Sequence, residues 1–245
     1  MTRRWPIYFF TCLLIIFWIT LQAALAEAVR IKDLANFGGV RGNQLIGYGL
    51  VVGLNGSGDK SGSEFTIHSI SSMLEKFGVT VKPSDIKVKN VAAVILTANL
   101  PPFSKIGSSI DVLVSSLGDA KSLQGGTLLL TPLRASNGEI HALAQGPISV
   151  GGFSISGASG TTVQKNHPTV GRVVAGATIE KEIPYRFNER ESLSITLHNP
   201  DFTTASRLAK TINKVLGEGI AKPRDSATVQ LQVPSNYNKR LVELV

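Results

Sequence analysis

Cysteine is nearly absent from this sequence, which closes off several kinds of chemistry. The 245 residues include one cysteine, Cys12, which lies inside an apolar N-terminal run and lacks the preceding small residues of a lipoprotein site. The rest of the chain therefore has no thiol to form a disulfide or to ligate zinc. We expect its stability to come from packing, with neither a disulfide nor a lipid anchor.

Histidine is also scarce, and no metal or hydrolase motif is present. The four histidines include no His-x-x-x-His pair, and no G-x-S-x-G nucleophile elbow occurs. Glu180 and Glu182 share a face of a predicted strand and can form a carboxylate pair, although the intervening Lys181 favours a solvated strand. A hydrolase would need a cavity joining His141 or His198 to a carboxylate. The sequence predicts no enzyme and no cofactor or metal site. The histidines are His68, His141, His167 and His198.

Two glycine-rich stretches look like nucleotide loops but lack the required spacing. GYGLVVG, residues 47–53, does not keep the G-x-G-x-x-G pattern, and no acidic residue after a following strand completes a dinucleotide unit. GLNGSGDKS, residues 53–61, has Asp59 between Gly58 and Lys60, so the lysine is out of register and a carboxylate stands where phosphate would bind. We interpret the second stretch as a flexible turn whose glycines allow positive φ and close packing.

The N-terminus has the pattern of an export signal. Arg3 and Arg4 precede an apolar run over residues 7–21, and a small-x-small cleavage site ends at Ala26. Residues 1–26 are therefore predicted to be a signal peptide cleaved after Ala26. A membrane anchor is the weaker interpretation, because the run is shorter than the roughly 20 residues that span a bilayer. The arginine pair is compatible with a twin-arginine route, but the strongly apolar run favours the general secretory route.

The charge is moderately basic. The chain has 25 basic and 17 acidic side chains, and removing the two arginines of the signal leaves 23 against 17, a formal charge of +6. Such a surface suits an acidic protein face or an anionic envelope polymer, and export argues against nucleic acid. Ordinary solubility charge is the alternative interpretation.

Turn residues recur at short intervals and helical patterns are few, which predicts an α+β fold of strands and hairpins with a few helices. Apolar residues at helical spacing, from Phe65 to Phe77, predict one helix over 64–77, ended by Gly78. They predict a second helix over 202–216, with Asp201 as its N-cap, Gly217 after it, and an apolar stripe that includes Phe202 and Val215. Strands are predicted at 86–100, 108–117, 127–133, 139–145, 192–198 and 226–234.

Two of these strands carry further information. Asn137 and Gly138 lie between the third and fourth predicted strands, and both residue types tolerate positive φ, so they predict a hairpin turn. The nearly continuous apolar run over residues 91–96 predicts a strand that is covered on both faces.

The domain organisation follows from composition. After the signal, residues 27–150 are predicted to form a glycine-rich first segment and a β-rich domain, and residues 151–165 a Gly/Ser-rich linker or long surface loop. Residues 166–245 are predicted to form a β-α-β module whose sheet has one apolar face and one polar face. Free edges of such a sheet can accept another subunit, and head-to-tail contacts can close into a ring, although a solvated polar face is the simpler interpretation.

Five long blocks of the chain resemble, in the same order, the flagellar P-ring protein family of Gram-negative bacteria. The resemblance runs through almost all of the chain after the signal. Family members are longer, so we expect this chain to lack the C-terminal part of the family. The blocks are VRGNQLIGYGLVVGLNGSGD (40–59), KNVAAVILTANLPPF (89–103), IDVLVSSLGDAKSLQGGTLLLTPL (110–133), AQGPISVGGF (144–153) and DFTTASRLAKTIN (201–213).

The resemblance implies a structural subunit that self-assembles into a ring around the flagellar rod in the periplasm, at the peptidoglycan layer, and acts as a bushing for rotation and motility. It also implies contact with outer-membrane L-ring subunits and peptidoglycan, and a dedicated periplasmic chaperone. The C-terminal β-α-β module is expected to serve ring association. The alternative is an exported module that binds the cell wall as a monomer.

Basic residues are the candidate contacts with the rod or another partner. Arg207, Lys210 and Lys214 follow helical spacing on the side opposite the apolar stripe, where a solvated face is the simpler interpretation. Lys60 lies at the tip of the glycine-rich loop. Together with Arg41 and Lys89, from other parts of the resemblance, it is a hypothetical contact with an acidic rod surface. The hypothetical contact residues are Arg41, Lys60, Lys89, Arg207, Lys210 and Lys214.

Overall fold

The structure is a computed structural model, and it describes residues 30–60, 63–86, 88–151, 153–156, 162–165 and 168–245. The predicted signal peptide and part of the predicted linker lie outside the described residues. Internal contacts divide the chain into two compact units. The larger unit is Val40–Arg186, and the smaller unit combines the residues up to Gly39 with Phe187–Val245. The smaller unit is therefore discontinuous in sequence, and the larger unit is inserted into it.

Strands dominate over helices, which confirms the predicted α+β class. The described helices are α1 (Ile31–Leu34), α2 (Glu64–Lys76), α3 (Phe202–Leu216) and α4 (Leu241–Leu244), with 3-10 turns at Pro83–Asp85, Phe187–Glu189 and Ser235–Tyr237. The described strands are β1 (Ala35–Phe37), β2 (Asn43–Val52), β3 (Val91–Leu100), β4 (Ser109–Ser116), β5 (Thr127–Arg134), β6 (Ile140–Pro147), β7 (Ser149–Val150), β8 (Phe153–Ser156), β9 (Thr162–Lys165), β10 (Val170–Ile179), β11 (Ser192–Leu197), β12 (Ala221–Pro223) and β13 (Thr228–Gln232). Within the described part of the chain, none of the helices has the length and apolar character needed to cross a bilayer.

The larger unit is built on a sheet that closes on itself. Its strand order is β4-β3-β2-β5-β6-β10, and β10 also pairs with β4, so these six antiparallel strands have no free edge among themselves. A short strand, β7, pairs with part of β10, and β8 pairs with β9 as a separate hairpin. Every second residue along these strands points inward, and together these residues fill the interior with one apolar core. Because β10 belongs to this sheet, the larger unit continues beyond residue 165 and ends at Arg186.

Strand β3 is covered on both faces, as its continuous apolar run predicts. Ala92 and Val94 point into the closed core, whereas the intervening Ala93 packs outside it against Ile70 of α2 and Leu50 of β2. Alternation along a strand puts successive side chains on opposite faces, so both faces can be apolar only where a second layer covers the outside. Helix α2 supplies that layer.

Helix α2 agrees with its prediction except at its ends. It ends at Lys76, and Gly78 follows with φ +78°. Ile67, Met73 and Leu74 pack on the outer face of the sheet, but the predicted stripe residues Phe65 and Phe77 are exposed. The first and last turns therefore extend beyond the apolar cluster beneath the helix.

The β5–β6 hairpin is confirmed, with a division of roles between its two turn residues. Gly138 has φ +81°, and its N–H donates to the Ala135 carbonyl at 2.9 Å. Asn137 does not use a positive φ; its side-chain oxygen accepts from the Glu139 N–H at 3.1 Å. Asn137 thus stabilises the turn through its side chain.

The smaller unit contains the predicted β-α-β module, extended by two short strands. Its order is β1-β11-β13-β12, with antiparallel pairing throughout, and α3 packs against β12 and β13. Leu193, Ile195 and Leu197 of β11 are buried, as the alternation predicts. The outer strands β1 and β12 are three residues long, and their sequences gave no clear period-2 pattern.

Helix α3 has the predicted cap and a shorter apolar stripe than predicted. The Asp201 carboxylate accepts from the Thr204 N–H at 2.6 Å, and hydrogen bonds from Thr204 hold the pKa of Asp201 below its ordinary value. Phe202 and Val215, predicted on the buried stripe, are 75% and 78% exposed. Both lie in the end turns of the helix, whereas the buried residues Ala205, Leu208, Ala209 and Ile212 lie between them.

Both unit boundaries are reinforced by hydrogen bonds. In the larger unit, the Tyr185 hydroxyl donates to the Arg41 carbonyl at 2.6 Å. In the smaller unit, the Arg190 guanidinium donates to the carbonyls of Gly38 and Gly39, at 3.0 and 3.3 Å. The two ends of the larger unit are therefore held close together.

Candidate functional site

The glycine-rich stretch between β2 and α2 is a loop fixed by hydrogen bonds. Gly53 and Gly56 have φ +84° and +82°, a conformation that favours glycine. The Gly58 N–H donates to the Lys89 carbonyl at 2.8 Å, and a Cβ at Gly58 would overlap the Val91 carbonyl oxygen. Positive φ and close packing, the two expected uses of these glycines, are thus confirmed. The earlier glycines of GYGLVVG lie inside β2, not at a strand-to-helix turn.

Asp59 anchors this loop from within. It is 1% exposed, and its Oδ2 accepts from the Thr66 hydroxyl at 2.7 Å and from the Ala93 N–H at 2.9 Å. Its Oδ1 is buried with no hydrogen-bond partner among the described residues. The carboxylate therefore joins the loop to α2 and β3. In the sequence, Asp59 stands out only as the interruption of a motif, because its partners Thr66 and Ala93 are brought to it by the fold.

Three exposed lysines flank the loop, and we name Lys60, Lys89 and Lys121 the three loop lysines. The Lys89 carbonyl accepts from the Gly58 N–H of the loop. The Lys121 N–H donates to the Ser57 carbonyl of the loop at 2.8 Å. Lys89 and Lys121 form no ion pair among the described residues. No sequence pattern links Lys121 to the loop, because only the fold brings its segment beside Ser57.

Lys60 is paired with the carboxylate of Asp119. The Lys60 Nζ lies 3.4 Å from the Asp119 Oδ2, and the side chain of Lys60 is 69% exposed. The Lys60 N–H also donates to the Asp119 Oδ1 at 2.8 Å, and this bond is the main cause that holds the pKa of Asp119 below its ordinary value. Asp119 thus fixes the backbone of the loop tip and leaves the Lys60 ammonium in water.

The basic ridge of α3 lies in the smaller unit. Arg207, Lys210 and Lys214 are all exposed, on the side of α3 away from buried Leu208 and Ile212. Thr211, within this part of the helix, donates to the Arg207 carbonyl at 2.9 Å, a bond along the helix itself. The ridge and the three loop lysines belong to different units, so the six predicted contact residues do not form one site within a unit.

Arg41 lies apart from the loop lysines in the larger unit. It precedes β2, whereas the loop follows β2, and ten residues of extended strand separate them by roughly 30 Å. Arg41 lines a cleft of about 560 Å³, which we name the Arg41 cleft. The cleft is lined by Arg41, Gly42, Asn43, Gln44, Ala135, Ser136, Asn137, Glu139, His141, Lys181, Glu182, Ile183 and Pro184.

Among the described residues, one histidine lies within 4 Å of a carboxylate, and both groups line the Arg41 cleft. His141 is 4% exposed, its Nδ1 donates to the Lys181 carbonyl at 3.0 Å, and its Nε2 lies 3.8 Å from the Glu139 Oε2. That separation exceeds a hydrogen bond. Hydrogen bonds from Lys181, and next from Asn137, hold the pKa of Glu139 below its ordinary value. The Glu139 carboxylate is therefore hydrogen-bonded to Lys181 and Asn137, and it forms no hydrogen bond through which to exchange a proton with His141.

The suggested pair of Glu180 and Glu182 does not form. Strand β10 ends at Ile179, so the two carboxylates do not share a strand face. Glu182 instead accepts from the Lys105 Nζ at 2.9 Å, which is the first cause of a pKa below its ordinary value. His198 follows β11 and is exposed. Among the described residues, no three His, Cys, Asp or Glu side chains are grouped to hold a metal ion.

Comparison with known proteins gives one consistent result. The family model described as flagellar P-ring protein matches residues 30–245. A flagellar P-ring protein of Geobacter sulfurreducens is 54% identical over 221 residues, which cover 90% of this chain and 60% of the relative.

Two further relatives carry the same description. The flagellar P-ring protein of Syntrophotalea carbinolica is 50% identical over 240 residues, covering 98% of this chain and 65% of the relative. The flagellar P-ring protein of Pseudomonas aeruginosa is 48% identical over 226 residues, which cover 91% of this chain and 61% of the relative. The chain thus spans 60–65% of the length of these relatives.

Proposed function

This chain belongs to the flagellar P-ring protein family, and from that membership we propose that it is a structural subunit of the flagellar basal-body P ring. It self-assembles around the rod in the periplasm, at the peptidoglycan layer, and acts as a bushing for rotation. The observation that carries the proposal is the family match over residues 30–245, which includes both compact units. L-ring subunits, peptidoglycan and a periplasmic chaperone are its further proposed partners, and the protein is exported and non-enzymatic.

The smaller unit is the proposed site of self-association. Its sheet ends in the short strands β1 and β12, each of which has a neighbour on one side only. The outer backbone groups of an edge strand can pair with another chain. The two edges differ, so a contact between them joins unlike surfaces, which is the head-to-tail contact that builds closed rings.

The three loop lysines are the proposed contact with an acidic rod surface. They are exposed, and their pairing with such a surface would be weakened by water and salt, since exposed ion pairs contribute little each. A bushing needs attraction of this kind, because a desolvated contact would resist rotation. Arg41 is not part of this surface, and the ridge on α3 remains a separate proposed contact.

We expect the ring at the peptidoglycan layer to disappear from basal bodies when this gene is deleted. Electron microscopy of basal bodies from deletion cells, and from cells that express this chain again, measures the effect. A ring that persists in the deletion strain contradicts the proposal. In that case, sedimentation of the purified chain with cell-wall sacculi as a monomer would favour the alternative wall-binding module.

We expect replacement of all three loop lysines by glutamine to reduce swarming without altering the fold. Neutralisation is preferable to charge reversal, because a glutamate at residue 60 would also repel Asp119. The measurements are swarm diameter and the circular dichroism spectrum of the purified variant.

A variant with Lys76 and Lys82 both replaced by glutamine is the control. Both are exposed lysines of the larger unit, outside the loop. The control should swarm like the wild type. Equal swarming of the loop variant and the wild type would reject the lysines as rod contacts.

A further inference from the structure

The Arg41 cleft has the size and walls of a ligand site. Its volume of about 560 Å³ lies within the range of small-molecule sites. Its walls come from the segment before β2, the β5–β6 hairpin, and the segment after β10. Both the hairpin and the last segment are fixed by hydrogen bonds, including Lys181 N–H to the His141 carbonyl at 3.2 Å. The walls are therefore formed before any ligand binds.

Charge in the Arg41 cleft is unevenly compensated. The Glu139 carboxylate is paired with the Lys181 Nζ at 2.7 Å, and the Glu182 carboxylate with the Lys105 Nζ at 2.9 Å. Both acidic groups of the wall therefore already have a cation. The Arg41 guanidinium has no ion pair among the described residues. The free charge of the wall is positive, and a planar guanidinium matches a carboxylate with two parallel hydrogen bonds.

The remaining polar groups favour a peptide. Asn43 and Gln44 line the cleft beside Arg41, and primary amides donate and accept hydrogen bonds, as a peptide backbone does. His141 offers its Nε2, because its Nδ1 donates to a carbonyl. Of the described residues that line the cleft, none is Trp, Tyr or Phe. A sugar ring would lack the flat aromatic surface on which its C–H face packs.

We propose that the Arg41 cleft binds a short peptide with a free carboxylate. Arg41 binds the carboxylate, and the amides of Asn43 and Gln44 pair with the peptide backbone. This site does not depend on ring assembly, so its test and the test of the ring function can fail independently.

Titration of the isotope-labelled chain, followed by NMR, tests the proposal. The probes are N-acetyl-glycyl-alanine as the free acid, the same dipeptide as its C-terminal amide, and glucuronate as a carboxylate on a sugar. We expect the free acid to shift the amide signals of residues 41–44, 135–139 and 181–183, and the other two probes to bind more weakly by about tenfold or more. Absence of binding by the free acid at 10 mM, on the order of the weakest measurable affinity, would overturn the proposal.

Two substitutions should act in opposite directions. Arg41→Gln removes the free cation and should weaken binding of the free-acid probe by about tenfold or more. Glu139→Gln releases the Lys181 ammonium and removes a nearby negative charge, so it should strengthen binding several-fold. Lys76→Gln, outside the cleft, should change nothing.

The direction of the Glu139→Gln effect separates recognition from damage to the fold, since damage would weaken binding. Equal binding of the amide would reject carboxylate recognition, and equal binding of glucuronate would reject a peptide ligand. Weakening by Glu139→Gln with an unchanged circular dichroism spectrum would reject the assigned role of Arg41 as the cation of the wall that has no ion pair among the described residues.

Discussion

Replacing Gly58 by alanine is expected to lower the free energy of unfolding of the larger unit by about 3 kcal/mol. The added Cβ would overlap the Val91 carbonyl oxygen and lie 2.7 Å from the Val91 nitrogen and 2.8 Å from the Lys89 carbonyl oxygen. All three atoms are backbone, so no side chain can rotate away. The loop must move instead, and this breaks the Gly58 hydrogen bond to Lys89. Hydrogen exchange of the β2 and β3 amides in the full chain measures the loss.

Gly56→Ala is the matched control for this clash. Gly56 lies in the same loop, and a Cβ there meets nothing within 4 Å among the described residues, but its φ is +82°. Its substitution should cost about 1 kcal/mol, from backbone conformation alone. Equal losses at the two positions would show that close packing does not fix the loop.

Asp59→Ala is the second substitution with a large expected effect, and it should lower the free energy of unfolding of the larger unit by about 3 kcal/mol. It leaves the Ala93 N–H and the Thr66 hydroxyl buried without their acceptor, and each such group costs about 1–3 kcal/mol. Asp59→Asn should cost less, because one oxygen remains to accept both bonds. Chemical unfolding of the purified chain at neutral pH, with exchange at Ala93 as the local measurement, tests this expectation.

Asp119→Ala is the control for the removal of an acidic group from the same loop. The Asp119 carboxylate also accepts a backbone bond, from Lys60, but it is exposed to water. Water can replace the lost acceptor, so the effect should be clearly smaller than that of Asp59→Ala. If the two variants were equally destabilised, burial of Asp59 would not be the reason for its effect.

Local patterns predicted much of this fold, because they report burial directly. Alternation in Leu193, Ile195 and Leu197 identified β11, and the Asp201 side chain identified the start of α3. The same patterns failed at Phe202 and Val215. Helical periodicity gives the direction of a side chain but not the extent of the surface opposite it, and here the side chains in both end turns are exposed.

The candidate sites were less predictable, because they depend on pairing between distant segments. Lys60 and Lys89 were proposed from sequence, but Lys121 joins them only through its backbone bond to Ser57. Arg41 was grouped with these lysines, although a whole strand separates it from them. The pairing of β10 with β6 also determines where Lys181 lies, and no local signal in either strand encodes that pairing.

The discontinuous smaller unit has a consequence for the order of folding. Strand β1 pairs with β11, Ala35 opposite Leu197, so during synthesis it must wait until the entire larger unit has been made. The larger unit can fold first as a contiguous segment, and the Tyr185 bond to Arg41 then brings its two ends together. This converts a long loop closure into a short one for the chain that follows. A substitution such as Gly58→Ala should therefore delay maturation of the smaller unit, although it touches none of its residues.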